Sequence, residues 1–111
     1  MSARMVVDPG ALRVPMVLER GLQVDDGLGG QDETWLPVAT VHARVERRSD
    51  RQDDTAGQDI ETTLHAITIR HRADVESGMR LRLGARVFRI VTVTDPDETG
   101  RFLVCNTEER P

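Results

Sequence analysis

The chain has 111 residues and a mass of 12.4 kDa, which is the size of one domain, and its single cysteine excludes both an intramolecular disulfide and a cysteine-rich zinc site. Only 38% of the residues are hydrophobic and three are aromatic (Trp35, Phe88 and Phe102), so the core is expected to be thin. A net charge of −4 argues against a protein whose main business is gripping nucleic acid, and no apolar run approaches the ~18 residues a membrane span needs.

The first eleven residues lack a signal-peptide core and are expected to form a flexible arm, with synthesis in the cytosol. From Leu12 to Glu19 the residues alternate, placing Leu12, Val14, Met16 and Leu18 on one side and Arg13, Pro15, Val17 and Glu19 on the other, the two-residue period of a half-buried strand. Pro15 cannot donate to a ladder, so an edge position is expected. The stretch from Val24 to Glu33 holds three glycines and four acids and reads as an exposed, mobile loop. A second strand is expected over about Thr34 to Arg47, where Ala39, Val41, Ala43 and Val45 alternate with Thr40, His42, Arg44 and Glu46.

Arg48 to Asp59 contains one small apolar side chain, Ala56, and is expected to be a loop or one or two turns of surface helix. Thr62 to Arg72 resumes strand character, with burial expected on the His65, Ile67 and Ile69 face. Met79 to Leu83 reads as a short strand, joined through Gly84-Ala85 to another over Arg86 to Thr94. Apolar residues occupy both sides of that strand around Ile90, so cover on both faces is expected. Asp95 to Gly100 makes a turn, and Arg101 to Asn106 returns as the last strand. Six strands at this spacing predict a mostly β fold, a small antiparallel β-barrel over residues 12–109 with a short helix or loop insertion.

Catalytic chemistry finds no foothold in this pattern. His65 and His71, six apart on one strand, would be ~20 Å apart at about 3.3 Å per residue and cannot share a metal. Both are expected at the surface or an interface. Cys105 reads as a small core residue, and Gly27-Leu28-Gly29-Gly30 lacks the Lys-Ser or Lys-Thr of a phosphate loop. Asp25, Asp26, Asp53 and Asp54 lie in segments too polar to desolvate a catalytic acid. No catalytic, cofactor-binding or metal-binding residue is assigned, and no enzyme activity is expected.

The order of features resembles a known family. It runs from Leu12-Arg13 through Asp26-Gly27-Leu28-Gly29-Gly30, Trp35 and Val38 to Glu46, then through Thr62 to Arg70, Gly84 to Ile90, Val93, Asp95, Arg101-Phe102-Leu103 and Cys105 to Glu109. The chain is similar to the head–tail joining proteins of tailed bacteriophages, also called head-completion, adaptor or stopper proteins, which occur in prophages and gene transfer agents too. The family usually places Trp beside Ala where this chain has His42-Ala43.

The resemblance implies a structural connector in the virion or phage-like particle, assembled in the bacterial cytoplasm. It implies a ring of about six or twelve copies, with portal or adaptor ring proteins above, tail-terminator or tail-tube proteins below, and double-stranded DNA passing through without sequence-specific binding. It also implies a channel loop, here Ser49, Asp50, Arg51, Asp53, Asp54, Gln58 and Asp59. The alternatives are a tail-terminator or other ring protein of the same particle, or an unrelated β-barrel binding module. No cofactor and no membrane enter.

Charge is laid out in blocks that fit a ring. Residues 19–33 carry −4 and residues 95–111 carry −3, whereas residues 70–89 carry +4. Head-to-tail rings need complementary patches on opposite sides of one subunit. Arg70, Arg80 and Arg86 on one side, with Asp25, Asp26, Asp97 and Glu98 on the other, are therefore the expected contacts with neighbouring subunits or the adaptor ring.

Overall fold

The computed structural model describes residues 9–55 and 58–111, with the side chains of residue 9 and residues 51–60 outside that description. A 3-10 turn, Pro9–Ala11, leads into six strands: β1 (Val14–Asp25), β2 (Gln31–Thr55), β3 (Gln58–Arg70), β4 (Arg80–Leu83), β5 (Arg86–Thr94) and β6 (Phe102–Glu109). All pairings are antiparallel, and the order β1-β2-β3-β6-β5-β4 returns to β1, so one sheet closes on itself. Closure removes the free edges that a six-stranded open sheet would expose.

The interior follows the two-residue period. Met16 and Leu18 of β1, Val41 and Ala43 of β2, Ile67 and Ile69 of β3, Leu81 of β4, Phe88 and Ile90 of β5, and Leu103 and Cys105 of β6 form one buried cluster. Val75 and Met79, from the connection after β3, close it. Pro15 lies within the β1–β2 ladder opposite His42, but β4 reaches only Val17, Leu18 and Glu19 of β1. Pro15 is therefore on a stretch paired along one edge, as a residue without an amide proton must be. Cover on both faces of β5 does not occur: Val91 is exposed, and a bulge between Ile90 and Thr92 turns Val93 towards the core instead.

The helix-or-loop insertion is not what forms. β2 and β3 run on through it as a hairpin, paired from Ser49↔Leu64 down to Thr55↔Gln58. A polar ribbon needs no buried face when every second backbone group is already hydrogen-bonded across the pair. The mobile loop of residues 24–33 also contracts: pairing continues to Asp25↔Gln31, leaving only Asp26 to Gly30 as the turn.

Two ribbons thus leave the closed body. The first is the outer part of β1 and β2 (residues 20–36), and the second is the outer part of β2 and β3 (residues 49–55 and 58–62). Each begins at a bulge, one between Leu18 and Glu19 that leaves Val38 unpaired, the other between Arg47 and Ser49 that leaves Arg48 unpaired. The 25 residues of β2 would span ~82 Å if straight at about 3.3 Å each. The longest dimension of the molecule is 53 Å. β2 is therefore bent, and bulges are the devices that bend a strand while keeping its partners.

Candidate functional site

The first ribbon is held in shape by its own acids. The Asp25 carboxylate accepts from the Gly27 amide at 2.9 Å, and Asp26 accepts from the amides of Leu28 at 2.7 Å and Gly30 at 3.0 Å. Gly27 and Gly29 both have positive φ, 79° and 82°, which a side chain would strain. The turn is therefore built rather than slack, and it presents Leu28 at 91% exposure. Leu22, Val24 and Leu36 are also exposed along the ribbon. On its opposite face Trp35 lies under the Arg80 guanidinium, 4.2 Å from the ring centroid.

The expected inter-subunit residues fall into two groups. Arg80 donates to Glu19 at 2.7 Å, Arg82 donates to the other oxygen of the same carboxylate at 3.3 Å, and Arg86 makes a two-pronged pair with Glu109 at 2.7 and 2.9 Å. Asp97 is engaged as well, by Thr99 and Arg101, which hold its carboxyl down at about 2. Glu98 sits in the turn after β5 with φ of 57°, exposed. Arg70 is different: it is exposed and makes no ion pair among the described residues.

Of the expected channel residues, Asp50 pairs with Arg47 through both carboxylate oxygens at 2.8 and 2.6 Å, and Ser49 is exposed beside it. Arg51, Asp53, Asp54, Gln58 and Asp59 lie on the second ribbon by backbone position, but their side chains are outside the described residues.

Glu19 was not foreseen. Alternation puts it outside with Val17, and it stays on that face opposite Arg80, but the side chains of Arg80 and Arg82 cover it to 5% exposure. Burial works against its charge, yet the hydrogen bonds from Arg80 and Arg82 outweigh that and hold the carboxyl below its ordinary value. A glutamate at a strand end with two arginines elsewhere carries no signal of this in the sequence.

His65 is buried too, on the face that alternation gives it with Ile67 and Ile69, rather than at the surface. Its ring meets Phe88 edge-on, centroids 5.0 Å apart at 88°, and its Nδ1 has no hydrogen-bond partner. Burial pushes the imidazolium below its ordinary value of 6.5; Glu109 and Asp50 oppose that shift, whereas Arg86 and Arg47 add to it. A histidine with a depressed native pKa binds its proton more tightly in the unfolded chain. Its contribution is therefore complete above pH 6.5 and is lost as the pH falls below that value. The thermal midpoint is expected to drop between about pH 7 and about pH 5, and His65→Gln to flatten that limb. An unchanged slope in the variant would assign the acid sensitivity elsewhere.

A hollow of about 500 Å³ opens where β3 leaves the sheet, lined by Leu12, Thr40, Val41, His42, Arg70, His71 and Arg72. Its polar lining is two arginines, two histidines and the Thr40 hydroxyl, and Arg72 is tied to Asp74 at 2.9 Å. His71 lies just beyond β3, so the two histidines expected on one strand do not share it. No group of three metal-ligating side chains occurs among the described residues. Cys105 is fully buried, and burial alone raises its thiol to about 11, as its reading as a core residue requires.

The profile of the phage head completion proteins matches residues 7–110. The chain belongs to that family. Among solved structures it is similar to a protein from the virion of a native gene transfer agent particle, with 28% identity and a TM-score of 0.75, covering 87% of this chain and 93% of that one. It shares its fold with a Shigella flexneri 2a protein solved in solution, at 24% identity and a TM-score of 0.65, covering 93% of this chain and 96% of the other. A comparison with curated protein sequences found no significant match. Head completion proteins are structural parts of the virion, in keeping with a sequence that presents no catalytic constellation.

Proposed function

We propose that this head completion protein is a small β-barrel connector that assembles as a ring of about six or twelve copies at the head–tail junction of a phage-like particle, below the portal or adaptor ring and above the tail. The match to the family over residues 7–110 carries this reading, and the likeness to a gene transfer agent virion protein supports it. In this role the second ribbon is the element directed at the DNA passage. Residues 44–61, which include it, have a net charge of −2. A lining of that sign lets a polyanion slide, whereas a basic one would hold it through many phosphate contacts.

The test is made in the cell that produces the particles. Removing the chain is expected to leave DNA-filled heads without tails beside free tails. A chain shortened by residues 49–60, which should still close its body sheet, is expected to enter particles but to let DNA escape from heads before tails join. Normal tailed particles in the absence of the chain would overturn the connector role. Retention of DNA by heads carrying the shortened chain would overturn the gating role of the ribbon.

A further inference from the structure

Of the expected inter-subunit cations, Arg80 and Arg86 are occupied within their own chain, and Arg70 is left beside a hollow with no acid among its described lining residues. The first ribbon is the reverse. From residue 21 to residue 43 the chain has four acids, Asp25, Asp26, Asp32 and Glu33, and no lysine or arginine. At its tip stands a leucine exposed to 91%, flanked by those carboxylates. The hollow offers the matching chemistry: Arg70, His42 and His71 for acids, with Leu12 and Val41 as an apolar wall. At about 500 Å³ it is of the size that accepts a small molecule, and so more than one side chain.

The tip does not fill the hollow of its own chain. Eleven residue steps along β2 separate Gln31 from His42, ~36 Å of strand at about 3.3 Å each, and β1 braces that length on one edge. A protruding patch and a receiving patch on different parts of one subunit make a heterologous contact, the kind that generates rings. We propose that the tip of the first ribbon, with Leu28 at its centre, docks into the Arg70–His42–His71 hollow of a second copy of this chain. The inference rests on the ring reading above and names the surfaces that join neighbours. A nucleic acid phosphate would satisfy Arg70 but not the apolar wall, and the chain's net charge of −4 opposes it.

Cross-linking reads the contact directly, because the natural cysteine is buried and unreactive. Particles are produced with the chain carrying Leu28→Cys and His42→Cys together, both at exposed positions, and are treated with a short bismaleimide. The double variant is expected to give a ladder of covalent multimers, and each single variant to stay at the monomer. Adding Arg70→Glu is expected to reduce the ladder about ten-fold, the loss of one close charge pair, and Asp32→Arg to restore it.

Monomer alone from particles whose electron micrographs still contain the ring would overturn this inference and leave the ring reading intact. Particles without any ring of the chain would overturn both. An absent ladder, with Arg70→Glu instead weakening a salt-sensitive association of the isolated chain with a DNA duplex, would overturn it in favour of phosphate contact.

Discussion

Replacing Phe88 by alanine is expected to lower the unfolding free energy by about 3–5 kcal/mol, a large share of the ~5–15 kcal/mol that a domain of this size has. The reason is how few large groups fill this interior. Phe88 is fully buried and faces Leu81 across the β4–β5 pair, and it presents its ring to His65. The other two aromatic residues contribute elsewhere: Trp35 is on the first ribbon, and Phe102 opens β6 opposite Arg70. No neighbouring aromatic can swing into the space, and a closed sheet whose strands are paired on both sides cannot collapse onto it. Urea unfolding of the two chains measures the loss. Phe88→Leu, which keeps most of the volume, is expected to cost less than half as much. A loss below about 1 kcal/mol for Phe88→Ala would mean that Phe88 is not the centre of the core.

The body of this protein is more legible in the sequence than its extensions, for a physical reason. Strands with one buried face announce themselves by alternation, which is why the inward positions of Met16 and Leu18, Val41 and Ala43, and Ile67 and Ile69 can be read from the order of residues alone. The second ribbon is written in polar residues with no apolar alternation, and a polar run such as Arg48 to Asp59 reads equally as loop or helix. What holds it is the backbone ladder and local pairs such as Arg47 with Asp50, neither of which leaves a compositional mark. The bulges are similarly silent: one marks where the first ribbon leaves the body, another turns Val93 towards the core.

The candidate contacts are legible only as blocks of charge. Composition separates the acidic 19–33 segment from the basic 70–89 segment but does not distinguish an arginine that is paired within the fold from one that is free. Burial and geometry make that distinction. Arg86 finds Glu109 because β5 and β6 are neighbours, and Arg80 finds Glu19 because β4 closes the sheet against β1. Arg70 stands at the last residue of β3, where the chain turns away into the connection to β4, and so has no strand partner to supply an acid beyond Phe102.

Glu19→Gln is expected to cost about 2–3 kcal/mol and to loosen the first ribbon before the body. Glu19 is the one acid shared by Arg80 and Arg82, and Arg80 in turn covers Trp35, so a single carboxylate ties the base of the ribbon to β4. Neutralising it leaves two guanidinium groups facing an amide, with Arg80 half-buried and poorly placed to recover water. Because the native carboxyl titrates below its ordinary value of 4.5, its contribution is present above pH 4.5 and is lost as the pH falls through the lowered value. The difference between the two proteins should therefore be full at about pH 7 and vanish in strong acid. Hydrogen exchange is expected to quicken at the amides of residues 20–25 and 31–36 in the variant, while those of Ile67 and Ile69 are unchanged relative to global stability. Equal acceleration everywhere would mean that Glu19 serves the body alone. Acceleration confined to the ribbon would make it the residue that sets the angle at which the docking tip leaves the subunit.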